Sequence, residues 1–148
     1  MVTARVPSCF WHNPKVGRLF ENYREVEAAY YSKTKIFPIM HLIAIRKTLV
    51  YEHPWLPVSV YKAFLAAENI AAKELLDAGV NFATLPWVYE EVMNAMKLMG
   101  EDYWSYGVEP NRAALEAMTR YSFTQGLSQR HLRAEELFHP STLELSKL

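Results

Sequence analysis

The stretch Lys35-Ile-Phe-Pro-Ile-Met-His-Leu-Ile-Ala-Ile-Arg46 decides how the rest of the chain is read. From Ile39 to Ile45 every residue is apolar except His41, and wet and dry positions do not alternate. A continuous apolar run of this kind predicts a strand covered on both faces, as in parallel or mixed sheets. Such a strand needs neighbours, because every backbone N–H and C=O withdrawn from water must be paired. The sequence beyond it is almost wholly helical in pattern. The expectation is therefore an α/β fold, mostly helical in this chain with one or two strands, whose sheet is largely missing from it.

Working outward, Val2 to Val6 reads as a second, short strand ended by Pro7, which cannot donate to a ladder. Ser8 to Gly17 is loop, with Pro14 and Gly17 as punctuation. Asn22 is placed to cap a helix from Tyr23 to about Tyr31, with Val26, Ala29 and Tyr30 as its buried stripe. After Tyr51 the period changes to 3.6. Pro54 and Pro57 suit a first helical turn, and Val60, Phe64, Ala67, Ala71 and Leu75 recur at three and four residue spacings. Gly79 is expected just past the end of that long helix. Thr84 and Pro86 open the next, with Val88, Val92, Met96 and Met99 as its apolar stripe and Gly100 as its stop. Pro110 precedes a helix from Asn111 to about Gln125, closed by Gly126, and a short turn follows at Ala134 to Phe138.

Length allows one domain, and 51% hydrophobic with 14% aromatic residues argues against disorder across the 148 positions. Sixteen basic and sixteen acidic residues are well mixed, which leaves no electrostatic footprint for nucleic acid or an anionic membrane. The single cysteine, Cys9, cannot form an internal disulfide or a cysteine-based zinc site. No apolar run approaches a membrane span, and the N-terminus lacks the apolar core of a signal peptide, so a cytoplasmic location is expected. His12, His53, His131 and His139 show no ligand spacing for one helical face, so no metal is expected. Glycine-rich phosphate loops and nucleophile elbows are absent from the sequence.

Three places could carry chemistry. His41 is the one polar group in the apolar run, and an imidazole gains or loses a proton near neutrality. It reads either as a general acid facing a cleft or as a neutral core histidine bonded to backbone. Arg5, before the Pro7-Ser8 turn, could clamp a carboxylate with help from the Ser8 hydroxyl, or could be an exposed surface arginine. The loop Tyr103-Trp-Ser-Tyr-Gly-Val-Glu-Pro-Asn-Arg112 offers aromatic faces together with Tyr106, Asn111 and Arg112 to orient a planar ligand. Equally, that loop could lock two helices together, with Glu109 and Arg112 as a pair at a helix start.

Five segments in order resemble the C-terminal half of the 4,5-dihydroxyphthalate decarboxylases. They are Lys33-Thr-Lys-Ile-Phe-Pro-Ile-Met-His41, His53-Pro-Trp55, Leu85-Pro-Trp87, Tyr103 to Arg112, and Glu135-Glu-Leu-Phe-His-Pro-Ser141. The resemblance runs from about Ala4 to Leu143 and implies a protein about twice this length, similar to type II periplasmic binding proteins, with two α/β lobes. Residues 1–148 would then be a single partial domain, the C-terminal part of that fold. The implied reaction is loss of CO2 from an aromatic dicarboxylate, giving protocatechuate, with no organic cofactor because the ring hydroxyls supply the electron push. On that reading Arg5 and Ser8 hold a carboxylate and His41 donates a proton or contacts a hydroxyl. Tyr106, Asn111 and Arg112 form wall or packing contacts.

Two rivals accompany this reading. A binding module of the same fold would take an aromatic carboxylate without chemistry, since fold does not settle function. An incomplete remnant would do neither. Either way, the lone strand predicts self-association into a homo-oligomer.

Overall fold

Proline and glycine punctuate the helices much as their places in the sequence suggest. Structural description, from a computed structural model, covers residues 5–79 and 83–145. Six α-helices lie within them: α1 Cys9–His12, α2 Tyr23–Thr34, α3 Lys47–Glu52, α4 Leu56–Leu76, α5 Val88–Met99 and α6 Arg112–Thr124. Two short 3₁₀ turns follow at Ala134–Leu137 and Pro140–Thr142. Pro57 sits in the first turn of α4, where its missing N–H costs nothing. Gly100 ends α5 at φ 99° and Gly126 follows α6 at φ 73°, both in the backbone region that glycine enters without strain.

Several boundaries differ from expectation. α2 runs on to Thr34 and stops where Lys35 turns left-handed at φ 56°. α5 starts at Val88 rather than Thr84, behind Trp87, which is itself left-handed at φ 63°. α4 ends at Leu76, with Gly79 two residues beyond its cap, its N–H donating to the Asp77 carboxylate at 2.9 Å. α3 was not expected, and its β-branched Thr48 and Val50 favour strand by intrinsic preference.

The larger correction concerns the fold class. Among the described residues there is no strand and no sheet, so the α/β expectation does not hold. Residues 35–46 are irregular, and no backbone hydrogen bond joins residues 37–45 to any other described residue. Nor is this stretch buried: Leu42 and Ile43 are more than half exposed, and His41 is exposed as well. The physical reason is the absence of a partner ladder. Among the described residues the helices satisfy their backbone internally and no other extended segment lies alongside this one to pair with it. Of the expected first strand, residues 2–4 lie outside the described residues, while Arg5 and Val6 are exposed and irregular.

The buried centre is small. Val108, Leu115 and Ala134 form one cluster, against which Ile39, Phe138 and Leu143 pack. Leu115, at 1% exposure, is the sole large side chain fully enclosed among the described residues. α4 packs on α3, α5 and the Pro140–Thr142 turn, and α6 packs on the Ala134–Leu137 turn. An ion pair between Arg24 and Glu91 ties α2 to α5. Within α5 the expected stripe holds, with Val92 buried and Val88, Met96 and Met99 half-buried. In α2 only Val26 of the expected stripe is even half-buried. No helix among the described residues is long and apolar enough to cross a membrane.

Candidate active site

The loop from Tyr103 to Arg112 is held by short-range bonds that its own residues supply. Asn111 is the cap residue of α6, and its Nδ2 donates to the carbonyls of Ser105 and Gly107 at 2.8 and 2.9 Å. Ser105 Oγ donates to the Asp102 carbonyl at 2.7 Å. Gly107, at φ 106°, lets the chain reverse between these two anchors. Val108 then drops into the core at 4% exposure. The amide of one asparagine thus fixes the loop that carries Trp104 and Tyr106.

Arg112 is the electrostatic hub. Its Nε donates to Glu109 Oε2 at 3.0 Å and Nη1 to Glu135 Oε1 at 2.7 Å, while Nη2 pairs with the other Glu109 oxygen. Glu116, one turn along α6, lies 3.5 Å from Nη1. The hydrogen bonds that it donates to Glu109 and then to Glu135 hold the pKa of the guanidinium well above its ordinary value, so it stays charged throughout. The Glu109 carboxyl is pushed below the usual range first by its bond to Arg112. Glu135 is lowered first by a backbone N–H and then by Arg112. A cleft of about 470 Å³ opens beside this hub, lined by Arg112, Glu116, Arg120, His131, Arg133 and Glu135 among others. A ligand carboxylate reaching Arg112 there would have to displace a glutamate.

Depressed carboxylates give their stabilisation above their unfolded value and lose it as pH falls through the folded one. Acidification below the ordinary value of 4.5 is therefore expected to loosen the joint between α6 and the Ala134–Leu137 turn. Amide protection factors at Leu115 and Glu136, whose N–H groups donate to the Asn111 and Arg133 carbonyls, should fall as the pH drops below that value, and Arg112→Gln should flatten that dependence. Protection at both amides that stays unchanged on acidification would refute the lock.

Tyr106 is half-buried and meets Tyr61 of α4 edge to face, ring centres 6.5 Å apart. The Tyr61 hydroxyl is shielded from solvent without a hydrogen-bond partner, and its pKa is raised first by burial and then by the Asp102 charge. Of the sequence candidates, then, Tyr106, Asn111 and Arg112 share one loop-to-helix joint. Arg5 and Ser8 lie at the other side of the sequence, both exposed, with Ser8 at the start of the four-residue α1. No hydrogen bond, ion pair or ring contact links Ser8 or His41 to that joint. The His41 segment does run past it, since Phe37 meets the Trp104 ring at 5.9 Å and Ile39 packs against the Val108–Leu115–Ala134 cluster. Sequence reading found the Glu109–Arg112 pair by its spacing. It missed Glu135, 23 residues away, and Tyr61, for which no local signal exists.

No protein-family model matches the chain. Against curated proteins, it is 40% identical over 149 aligned positions to a 4,5-dihydroxyphthalate decarboxylase of Comamonas testosteroni. The resemblance to that enzyme holds along the whole chain. The match covers 100% of this chain and 45% of the relative, so the chain spans less than half the relative's length.

Proposed function

We propose that this chain is part of an aromatic decarboxylase acting on a dihydroxylated aromatic dicarboxylate such as 4,5-dihydroxyphthalate. Identity of 40% over an alignment that spans the whole chain is the observation that supports the reading. In the reaction the bond from ring to one carboxylate breaks and CO2 departs. The electron pair stays on the ring carbon, which takes up one proton to give protocatechuate. The ring hydroxyl para to the departing group supplies the push, so the protein's tasks are to anchor the remaining carboxylate and deliver the proton.

Arg5 with Ser8 suits the first task, since a guanidinium fork and a hydroxyl match the two oxygens of a carboxylate. His41 suits the second, being an imidazole on a segment seated beside the Tyr103–Arg112 loop. Tyr106 supplies an aromatic wall, while Asn111 and Arg112 hold that wall in place. All three residues of the chemical step are exposed in this chain. Decarboxylation gains from excluding water around the departing carboxylate, so the full site calls for a cover. The test is to supply 4,5-dihydroxyphthalate to this chain joined to the part of the Comamonas relative that it does not match. CO2 release with protocatechuate formation is the expected result. Saturable binding without turnover would turn the reading into a binding module, and neither signal would overturn it.

A further inference from the structure

One shielded hydroxyl has no use in the core or in the chemistry proposed above. Tyr61 belongs to α4, and its Oη is withdrawn from solvent with no hydrogen-bond partner among the described residues. A shielded donor left unpaired is rare and lowers stability, so a fold keeps one where something else supplies the acceptor. Its surroundings narrow what that acceptor is. The Tyr106 ring stands edge to face with that of Tyr61, 6.5 Å between centres. The loop with Tyr106 begins beside Asp102, whose carbonyl takes the Ser105 Oγ bond at 2.7 Å. After burial, it is the Asp102 charge that opposes ionisation of the Tyr61 hydroxyl, so the phenol stays a donor. That same charge opposes a ligand carboxylate arriving there. The acceptor that fits is a neutral oxygen.

We propose that Tyr61 and Asp102 recognise the two neighbouring hydroxyls of a catechol ring. Tyr61 Oη donates to one ring oxygen, and the Asp102 carboxylate accepts from the hydroxyl beside it. A carboxylate has acceptor positions for several donors, so this bond adds to the interactions that Asp102 already makes. The half-buried Tyr106 ring yields to admit the ligand and then lies against it as the wall. The inference rests on the decarboxylase reading above and deepens it, by naming the residues that select a dihydroxylated ring over plain phthalate. It bears on rate as well. A hydroxyl that donates to a carboxylate gains electron density on its oxygen. Placed para to the departing carboxylate, that hydroxyl pushes harder, and no bond to hydrogen has to break for it to do so. The ligand's own carboxylates fall to Arg5 and Ser8, so different parts of the chain read its two ends.

The test titrates catechol and phthalate separately into the full chain, followed by amide chemical shifts. Catechol is expected to shift the signals of residues 102–106 with millimolar affinity, the range of a small ring with two hydrogen bonds, and phthalate to leave them in place. Tyr61→Phe should weaken catechol by about tenfold. It should also raise the urea midpoint by about 0.5 M, because it removes the unpaired hydroxyl from the free chain. A hydroxyl with a merely structural role would lower that midpoint. Asp102→Asn should weaken catechol by a similar factor, through loss of the charged acceptor. In this chain joined to the unmatched part of the Comamonas relative, 4,5-dihydroxyphthalate should bind at least about 100-fold tighter than phthalate. There Tyr61→Phe should cut the ratio by about tenfold, whereas Arg5→Ala should lower both affinities alike. No catechol binding to the full chain, binding that Tyr61→Phe leaves unchanged, or a lowered midpoint would each overturn the proposal. Selective binding through Tyr61 without CO2 release keeps the proposal and removes the decarboxylase reading. Turnover that Tyr61→Phe leaves as selective as before does the reverse.

Discussion

Replacing Leu115 with alanine is expected to cost about 3 kcal/mol, enough to leave little folded protein in a chain with so small a centre. Leu115 is 1% exposed and touches the cluster that Val108 and Ala134 complete, with Ile39, Phe138 and Leu143 packed around it. These neighbours come from four separate stretches of the chain: the 35–46 segment, the Tyr103–Arg112 loop, α6 and the turns after it. Removing the side chain leaves a cavity whose walls cannot close, since Val108 is fixed by the Asn111 bonds and Ala134 by the Arg112 ion pairs beside it. Leu127→Ala is the matched control, because Leu127 is 79% exposed and should change stability by no more than about 0.5 kcal/mol. Urea denaturation followed by tryptophan fluorescence separates the two. Equal midpoints for both variants would show that the Leu115 cluster is not what holds the chain together.

The same cluster explains what could be read from the sequence and what could not. α5 and α6 were legible because their evidence is local: apolar residues at helical spacing and glycines at φ 99° and 73° just past their ends. The Glu109–Arg112 pair was legible for the same reason, being three residues apart. Glu135 was not, since the 23-residue gap to Arg112 is closed by tertiary packing. α1 is a single turn and α3 a six-residue helix rich in β-branched positions, and neither carries a periodic signal. The failure at residues 35–46 is of another kind. Hydropathy reports that a segment is suited to burial, and that remains true of Met40, Leu42 and Ile43. It does not report which polypeptide supplies the cover. Of the candidate site, the Asn111 and Arg112 geometry follows from nearby sequence, while the placing of Arg5, Ser8 and His41 relative to it depends on contacts that sequence spacing does not encode.

His41→Ala is expected to lower the decarboxylation rate by about 100- to 10,000-fold, the usual contribution of a positioned proton donor. The measurement belongs in a chimera in which this chain replaces the matching 45% of the Comamonas relative, so that the substrate is enclosed. If His41 delivers the proton to the ring carbon, kcat falls while KM changes little, because the donor acts in the transition state and the carboxylate anchor is untouched. Arg5→Ala should show the opposite balance, with KM rising most, since a carboxylate clamp contributes binding in both ground and transition states. His41 is exposed and on an irregular segment, so its removal should not shift the denaturation midpoint, and a rate loss could not be ascribed to unfolding. His41→Gln keeps a hydrogen-bond donor but cannot surrender a proton. It should therefore rescue any role in contacting a ring hydroxyl and none in proton delivery. Full activity in His41→Ala would move the donor to another group, with Tyr106, on the facing loop, the next to substitute.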